Sequence, residues 1–245
     1  MLNFKHSTLL TAMYQNIVLH IPHSSTVVPE HLEKQHRDAV RPLRENSFNL
    51  VDYYTDSLFL PDKEHPRIHS IVAPYLRTFI DMERMTDEPL EEKGFGIVSK
   101  WALDLYGEAF RKQALCWYKE YHRSAMMQLN ALKKPLLIDC HSFSAFPTPL
   151  CACPPDVDIC IGWNEDETRP TQKVLDLVIS YFANLGYSVG LNEPFSNSKT
   201  FPGATDYHSL MIEINKRCYM NEETLAKSSN FITLHNQLQR LYNVI

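Results

Sequence analysis

Two short aliphatic runs, each bringing a histidine to its far end, constrain this chain more than any other feature. Leu137-Ile138-Asp139-Cys140-His141-Ser142 is one, and the other runs from Ile17 through Ile21-Pro22-His23-Ser24-Ser25, far upstream. In each, the histidine falls where a strand would end, and in open α/β sheets that edge is where ligand sites form. Two histidines brought together there suggest a metal.

Along the chain, short aliphatic runs alternate with longer amphipathic stretches, the pattern of βαβ units and a mostly parallel or mixed sheet. The expected class is α/β, a three-layer αβα arrangement of the phosphorylase/hydrolase-like kind. Strands are expected at 17–20, 69–73, 77–81, 136–139, 159–162, 188–191 and 210–214. A helix is expected over about 47–59, capped by Asn46 or Ser47, with Phe48, Val51, Tyr54 and Leu58 at helical spacing and Asp52 on it. A long one is expected over about 101–132 with Gly107 as an interruption. Another should begin after Thr168 or Arg169, with Pro170 in its first turn, and stop near Gly186. The last should run from an Asn221 cap to about Tyr242. The segments 85–99, acidic around Pro89, and 193–208 are long enough to be binding loops or lids.

A chain of 245 residues can bury a full core as one domain spanning 1–245. The six cysteines are too sparse for a secreted disulfide scaffold and read as reduced thiols. Cys151, Cys153 and Cys160 lack a nearby fourth ligand for a structural zinc. A net charge of −5 argues against a nucleic-acid partner, since phosphate binding wants a clustered basic excess. No apolar run is long enough to span a bilayer. Without a recognisable leader near Met1, the expected location is cytoplasmic. With seven glycines and no Gly-x-Gly-x-x-Gly, nucleotide binding through a phosphate loop is not indicated.

A hydrolytic zinc typically has three N or O ligands and one open position. His23, His141 and a carboxylate between them meet that count; Asp52, which a helix following the His23 loop could aim back at the sheet edge, competes with Glu45 for that place. Asp139, two residues before His141, shares a strand face with it; it either orients a ligand imidazole or makes a buried structural hydrogen bond. Glu213 lies among Met211, Ile212 and Ile214, and a carboxylate in an apolar strand is costly unless it is paired or used. It is the expected general base and acid.

These landmarks are spread in one order: Pro22-His23-Ser24; Asp52-Tyr53; Arg77, Asp81 and Arg84; Tyr121-His122; Asp139-Cys140-His141-Ser142; Glu213 and Tyr219. Together they resemble the N-formylglutamate amidohydrolases, within a group that is similar to zinc peptidases and carboxypeptidases. The resemblance implies a zinc-dependent amidohydrolase acting on a small N-acyl amino acid or related carboxylate-bearing amide, such as an N-formyl compound, through water activated by the ion. It implies metal ligation by His23, Asp52 and His141 and proton transfer by Glu213. Arg77 and Arg84 match its arginines; one would hold the substrate carboxylate and the other the oxyanion, with Arg77 placed among the catalytic residues and Arg84 with substrate binding. Ser142 and Asn164 are further substrate-contact candidates. The chain departs from the family pattern at Ser25 and over Pro194–Gly203, a loop expected to shape the pocket. Two other readings are carried alongside: a non-catalytic anion-binding protein on the same fold, and an iron enzyme using the same His/His/carboxylate set.

Overall fold

The computed structural model describes residues 12–35, 49–85, 89–154, 156–198 and 201–245. Six strands form the central sheet: β1 (Ile17–Ile21), β2 (Ile68–Val72), β3 (Leu136–Phe143), β4 (Ile159–Gly162), β5 (Val189–Leu191) and β6 (His208–Asn215), in the order β2-β1-β3-β6-β4-β5. β2, β1, β3 and β6 are mutually parallel, whereas β4 and β5, parallel to each other, run antiparallel to β6. The helices are α1 (Glu30–Gln35), α2 (Thr55–Phe59), α3 (Pro89–Glu92), α4 (Lys100–Asn130), α5 (Gln172–Asn184) and α6 (Phe231–Tyr242). A small hairpin pairs β7 (Met220–Asn221) with β8 (Ala226–Lys227). Among the described residues, no helix is long and apolar enough to cross a membrane.

Side-chain alternation gives the sheet two chemically different faces. Ile17, Leu19 and Ile21 of β1, Leu136, Ile138 and Cys140 of β3, and Leu210, Ile212 and Ile214 of β6 form one apolar core with α2, α5 and α6. The intervening residues face the other way. Val18 and Leu137 pack there against Ala125 and Leu129 of α4, with Phe201 and Tyr207, but further along these same strands this alternation assigns that face to His20, Asp139, His141 and Glu213. Buried polar groups are expensive unless they are satisfied, so titratable groups gathered toward the carboxyl ends on one face mark where the fold gives up core packing for chemistry.

Three sequence expectations are corrected. Residues 77–81 are not a strand: the Phe79 and Ile80 amides donate to Leu76 O at 2.8 and 3.0 Å, which makes a turn, and only Ile80 bridges to Val98. Asp52 does not lie on a helix. The helical segment is only Thr55–Phe59, because Tyr54 before it adopts φ 66°, and residues 47 and 48 lie outside those described. Asn221 caps no helix: its side chain accepts from the Thr224 amide at 2.8 Å and closes the β7–β8 turn, and the last helix begins at Phe231 after Asn230. The other elements lie close to expectation. Gly107, at φ 74°, interrupts α4, and Gly186, at φ 92°, follows α5. A positive φ there is strained for a side chain bearing Cβ.

Candidate functional site

His23 leaves the end of β1, His141 sits inside β3 and Glu213 is its register partner on β6. Parallel pairing therefore sets three functional side chains at neighbouring strand ends. Asp52 reaches them from the loop before α2, held by its own amide, which donates to His23 O at 2.9 Å. The Ser142 amide in turn donates to Asp52 Oδ2 at 3.1 Å. The ligating atoms of His23, Asp52 and His141 lie within 4.8 Å of one another, and all three residues are buried.

The two imidazoles are oriented alike. His23 Nε2 is 2.9 Å from Asp81 Oδ1 and 3.4 Å from Glu83 Oε2. His141 Nε2 is 3.1 Å from Asp139 Oδ1 and 3.2 Å from Glu83 Oε1. Ionised carboxylates only accept hydrogen bonds, so each Nε2 carries the proton. In a neutral ring that leaves Nδ1 with the lone pair. Both Nδ1 atoms face Asp52 Oδ2, at 3.8 Å from His23 and 3.3 Å from His141. His23 Nδ1 is buried without a hydrogen-bond partner. Zinc–ligand bonds of about 2.0–2.2 Å set tetrahedral ligand atoms roughly 3.3–3.6 Å apart, so the donor set and spacing fit a metal ion.

The electrostatics agree. Three buried carboxylates, Asp52, Asp81 and Asp139, and the partly buried Glu83 crowd around this centre. Burial disfavours their charged forms, yet the neighbouring cationic groups outweigh it. Burial and Asp139 push Glu83 up, but His141 and His23 outweigh them and bring it down to about 2. Asp81 is held well below the usual carboxylate range by His23 and Arg77, and Asp139 by His141 and His20. Burial opposes an imidazolium at His141, but Glu83 and Asp139 raise its pKa well above the ordinary value. Burial and Arg77 lower that of His23. Glu213 behaves differently: burial dominates and pushes it up to about 8, with Asp52 and Glu83 adding to the rise.

His23, Asp52, Glu83, His141 and Glu213 border a cavity of about 370 Å³ lined also by Arg77, Arg84, Ser142 and the loop residues Pro194, Phe195 and Ser198. Arg77 Nη1 donates to Leu50 O at 3.1 Å and Nη2 to Asp81 Oδ2 at 3.2 Å, while Arg84 Nε lies 3.5 Å from the same Asp81 oxygen. Asn164 is not brought to this cavity. It follows β4, whose antiparallel direction delivers it toward the opposite edge of the sheet. Cys151 borders the cavity, Cys160 is buried on β4 and Cys153 is exposed, so these thiols form no common site. Glu45 lies outside the described residues.

Sequence reasoning missed Glu83 and His20. Glu83 sits between two landmarks, Asp81 and Arg84, in a turn where no periodicity singles it out. His20 was detectable by the argument applied to Glu213, a polar side chain inside an apolar strand.

Fold and site define an α/β chain with a histidine–carboxylate centre at the carboxyl ends of its parallel strands. The N-formylglutamate amidohydrolase family model matches residues 15–220, and the chain belongs to that amidohydrolase family. Among solved structures it is similar to the crystal structure of N-formylglutamate amidohydrolase from Ralstonia eutropha JMP134, with a TM-score of 0.60 and 20% identity over 96% of this chain and 95% of that one. That likeness supports the fold. No curated protein matches the chain.

Proposed function

We propose that this chain is a metal-dependent hydrolase, with zinc as the ion, that cleaves the amide bond of a small N-acyl amino acid, an N-formyl compound among them. The observation that carries the reading is the shared orientation of His23 and His141, whose Nδ1 atoms face Asp52 while carboxylates occupy each Nε2. His23, Asp52 and His141 would hold the ion. A zinc ion there supplies Lewis acidity toward a carbonyl oxygen and makes water a competent nucleophile near neutral pH.

The protein's own groups do the rest. Glu213 takes the proton of the attacking water and returns it to the leaving nitrogen, and a carboxyl raised toward neutrality is suited to both directions. Arg77 is the better oxyanion partner of the two arginines. Its Nη atoms are anchored on Leu50 O and Asp81 Oδ2 at 3.1 and 3.2 Å, whereas Arg84 Nε stands 3.5 Å from that Asp81 oxygen. A guanidinium fixed by Leu50 O and Asp81 is preorganised, which is what stabilises developing charge. Arg84 is left to engage the substrate carboxylate. A cavity of about 370 Å³ suits a small molecule, and Leu50, Phe143, Phe195 and Met211 on its wall suit the substrate's apolar part.

Elemental analysis of protein purified without chelators, followed by amine release across a panel of N-formyl and longer N-acyl amino acids, tests the reading. Stoichiometric zinc with release from at least one member is expected. A metal-free protein that stays inert after zinc is added would end it.

A further inference from the structure

Behind His141 runs a chain of polar contacts, buried at Asp139 and His20 and part-buried at Tyr121, that the proposed reaction does not use directly. Asp139 Oδ1 lies 3.1 Å from His141 Nε2 and 2.7 Å from His20 Nδ1. His20 Nε2 lies 2.8 Å from the hydroxyl of Tyr121 on α4. His20 and Asp139 are register partners on β1 and β3, so the sheet itself sets their spacing. His20 is fully buried, its ring 4.9 Å from that of Phe201, which is also fully buried.

The chain has a direction. Asp139 as a carboxylate accepts only, so both histidines donate to it. A neutral His20 that donates from Nδ1 leaves Nε2 bare, and the Tyr121 hydroxyl must donate there. We propose that His20 and Tyr121 are positioning residues: they hold Asp139 so that His141 keeps its proton on Nε2 and turns the Nδ1 lone pair toward the metal position between His23 and Asp52. Carboxylates behind ligating histidines commonly govern affinity in this way; here a second histidine and a tyrosine from another layer of the fold extend the support outward. A purely space-filling pair would need no donor on His20 and no hydroxyl on Tyr121.

The proposal rests on the metal reading for its affinity arm only, and the test separates the two. Zinc affinity is measured by chelator competition for the wild type, His20→Leu, His20→Asn and Tyr121→Phe. In parallel, the His141 tautomer is read from long-range ¹H–¹⁵N spectra of the metal-free proteins at a pH high enough that the ring is neutral, since Glu83 and Asp139 hold its pKa well above the ordinary value. His20→Leu should weaken zinc by about 10–100-fold, the usual cost of losing such support. His20→Asn, whose amide can donate to Asp139, should recover most of the loss, and Tyr121→Phe should lose several-fold. The protonated Nε2 of His141 should give way to mixed tautomers in His20→Leu. Zinc affinity within twofold of wild type and an unchanged His141 tautomer in both Tyr121→Phe and His20→Leu would overturn the proposal. If His20→Leu does not fold, Tyr121→Phe decides. Should the wild type bind no zinc, the metal reading fails, while a His141 tautomer that still depends on His20 upholds the positioning role.

Discussion

His141 and Glu213 are register partners on adjacent parallel strands, so their side chains stand on the same face of the sheet although the chain between them makes two further strands and a helix. The pairing sets an imidazole that can hold an ion beside a carboxyl that burial pushes up to about 8. Slipping β6 by one residue would send Glu213 into the opposite core with Leu210, Ile212 and Ile214. Register here is therefore a condition of chemistry as well as of packing.

The ligand set predicts a graded loss of metal. His23→Ala and His141→Ala should each weaken zinc by more than about 100-fold, beyond the range seen when only a supporting group is lost. Asp52→Asn keeps an oxygen near the Ser142 amide but removes the charge, and should also bind zinc much more weakly. Glu45→Gln should bind it normally. Equilibrium dialysis with zinc analysis checks all four, and full occupancy in any of the first three removes that residue from the set.

Glu213 predicts a pH signature in the metal-free protein. Its folded pKa of about 8 lies above the ordinary 4.5 because burial disfavours the carboxylate. Folding therefore favours its protonated form. That contribution is present in full below about pH 4.5 and shrinks as pH rises through 8. Glu213→Gln stays neutral, so its Tm relative to wild type should climb from pH 5 to pH 8.5. Parallel Tm profiles for the two proteins would contradict the shift.

The parts of this site carried by strands were legible in the sequence because burial writes a polar exception into an apolar run, as at His141, Asp139 and Glu213. Asp52 was chosen partly through the resemblance and partly from a helix expected to aim it at the sheet edge, and that helix proved to be a loop. A loop residue held by the amide of Ser142 and the carbonyl of His23 leaves no periodic trace. Asn164 was misplaced because a strand's direction is not written in its own residues: β4 looks like any parallel strand until it pairs antiparallel with β6. The expected 77–81 strand failed for a related reason, since local turn bonds to Leu76 won over sheet pairing.

Gly162 predicts a substrate-binding variant that spares the metal. A Cβ at this position would lie 2.9 Å from the Asn197 backbone nitrogen and 3.0 Å from Met211 Cε, and Met211, Ser196 and Ser198 border the cavity. The methionine end can yield at little cost, whereas clearing Asn197 N requires the backbone itself to shift. Gly162→Ala should displace the wall at 194–198, destabilise the fold by about 1–3 kcal/mol and raise KM more than it lowers kcat, with zinc content unchanged. Unaltered KM on a confirmed substrate would show that this close approach does not shape the pocket.

The last prediction separates proton transfer from ligation at Glu213. A group that acts on water without holding the ion should, when changed to Gln, leave zinc stoichiometry near wild type and lower kcat by about 10²- to 10⁴-fold, the range for a positioned acid–base residue. Gln fills nearly the same volume and stays neutral, as the carboxyl largely is in the metal-free site below pH 8, so the fold should persist and thermal unfolding at pH 7 should show it. Parallel loss of zinc would make Glu213 a ligand and Asp52 superfluous. Undiminished turnover would move the proton-transfer role to Glu83, the other carboxylate bordering the cavity that is not assigned to the ion. Because Glu83 is pulled down to about 2 by its neighbours, it is a poor proton acceptor at neutral pH, and that contrast is why the rate should fall with Glu213.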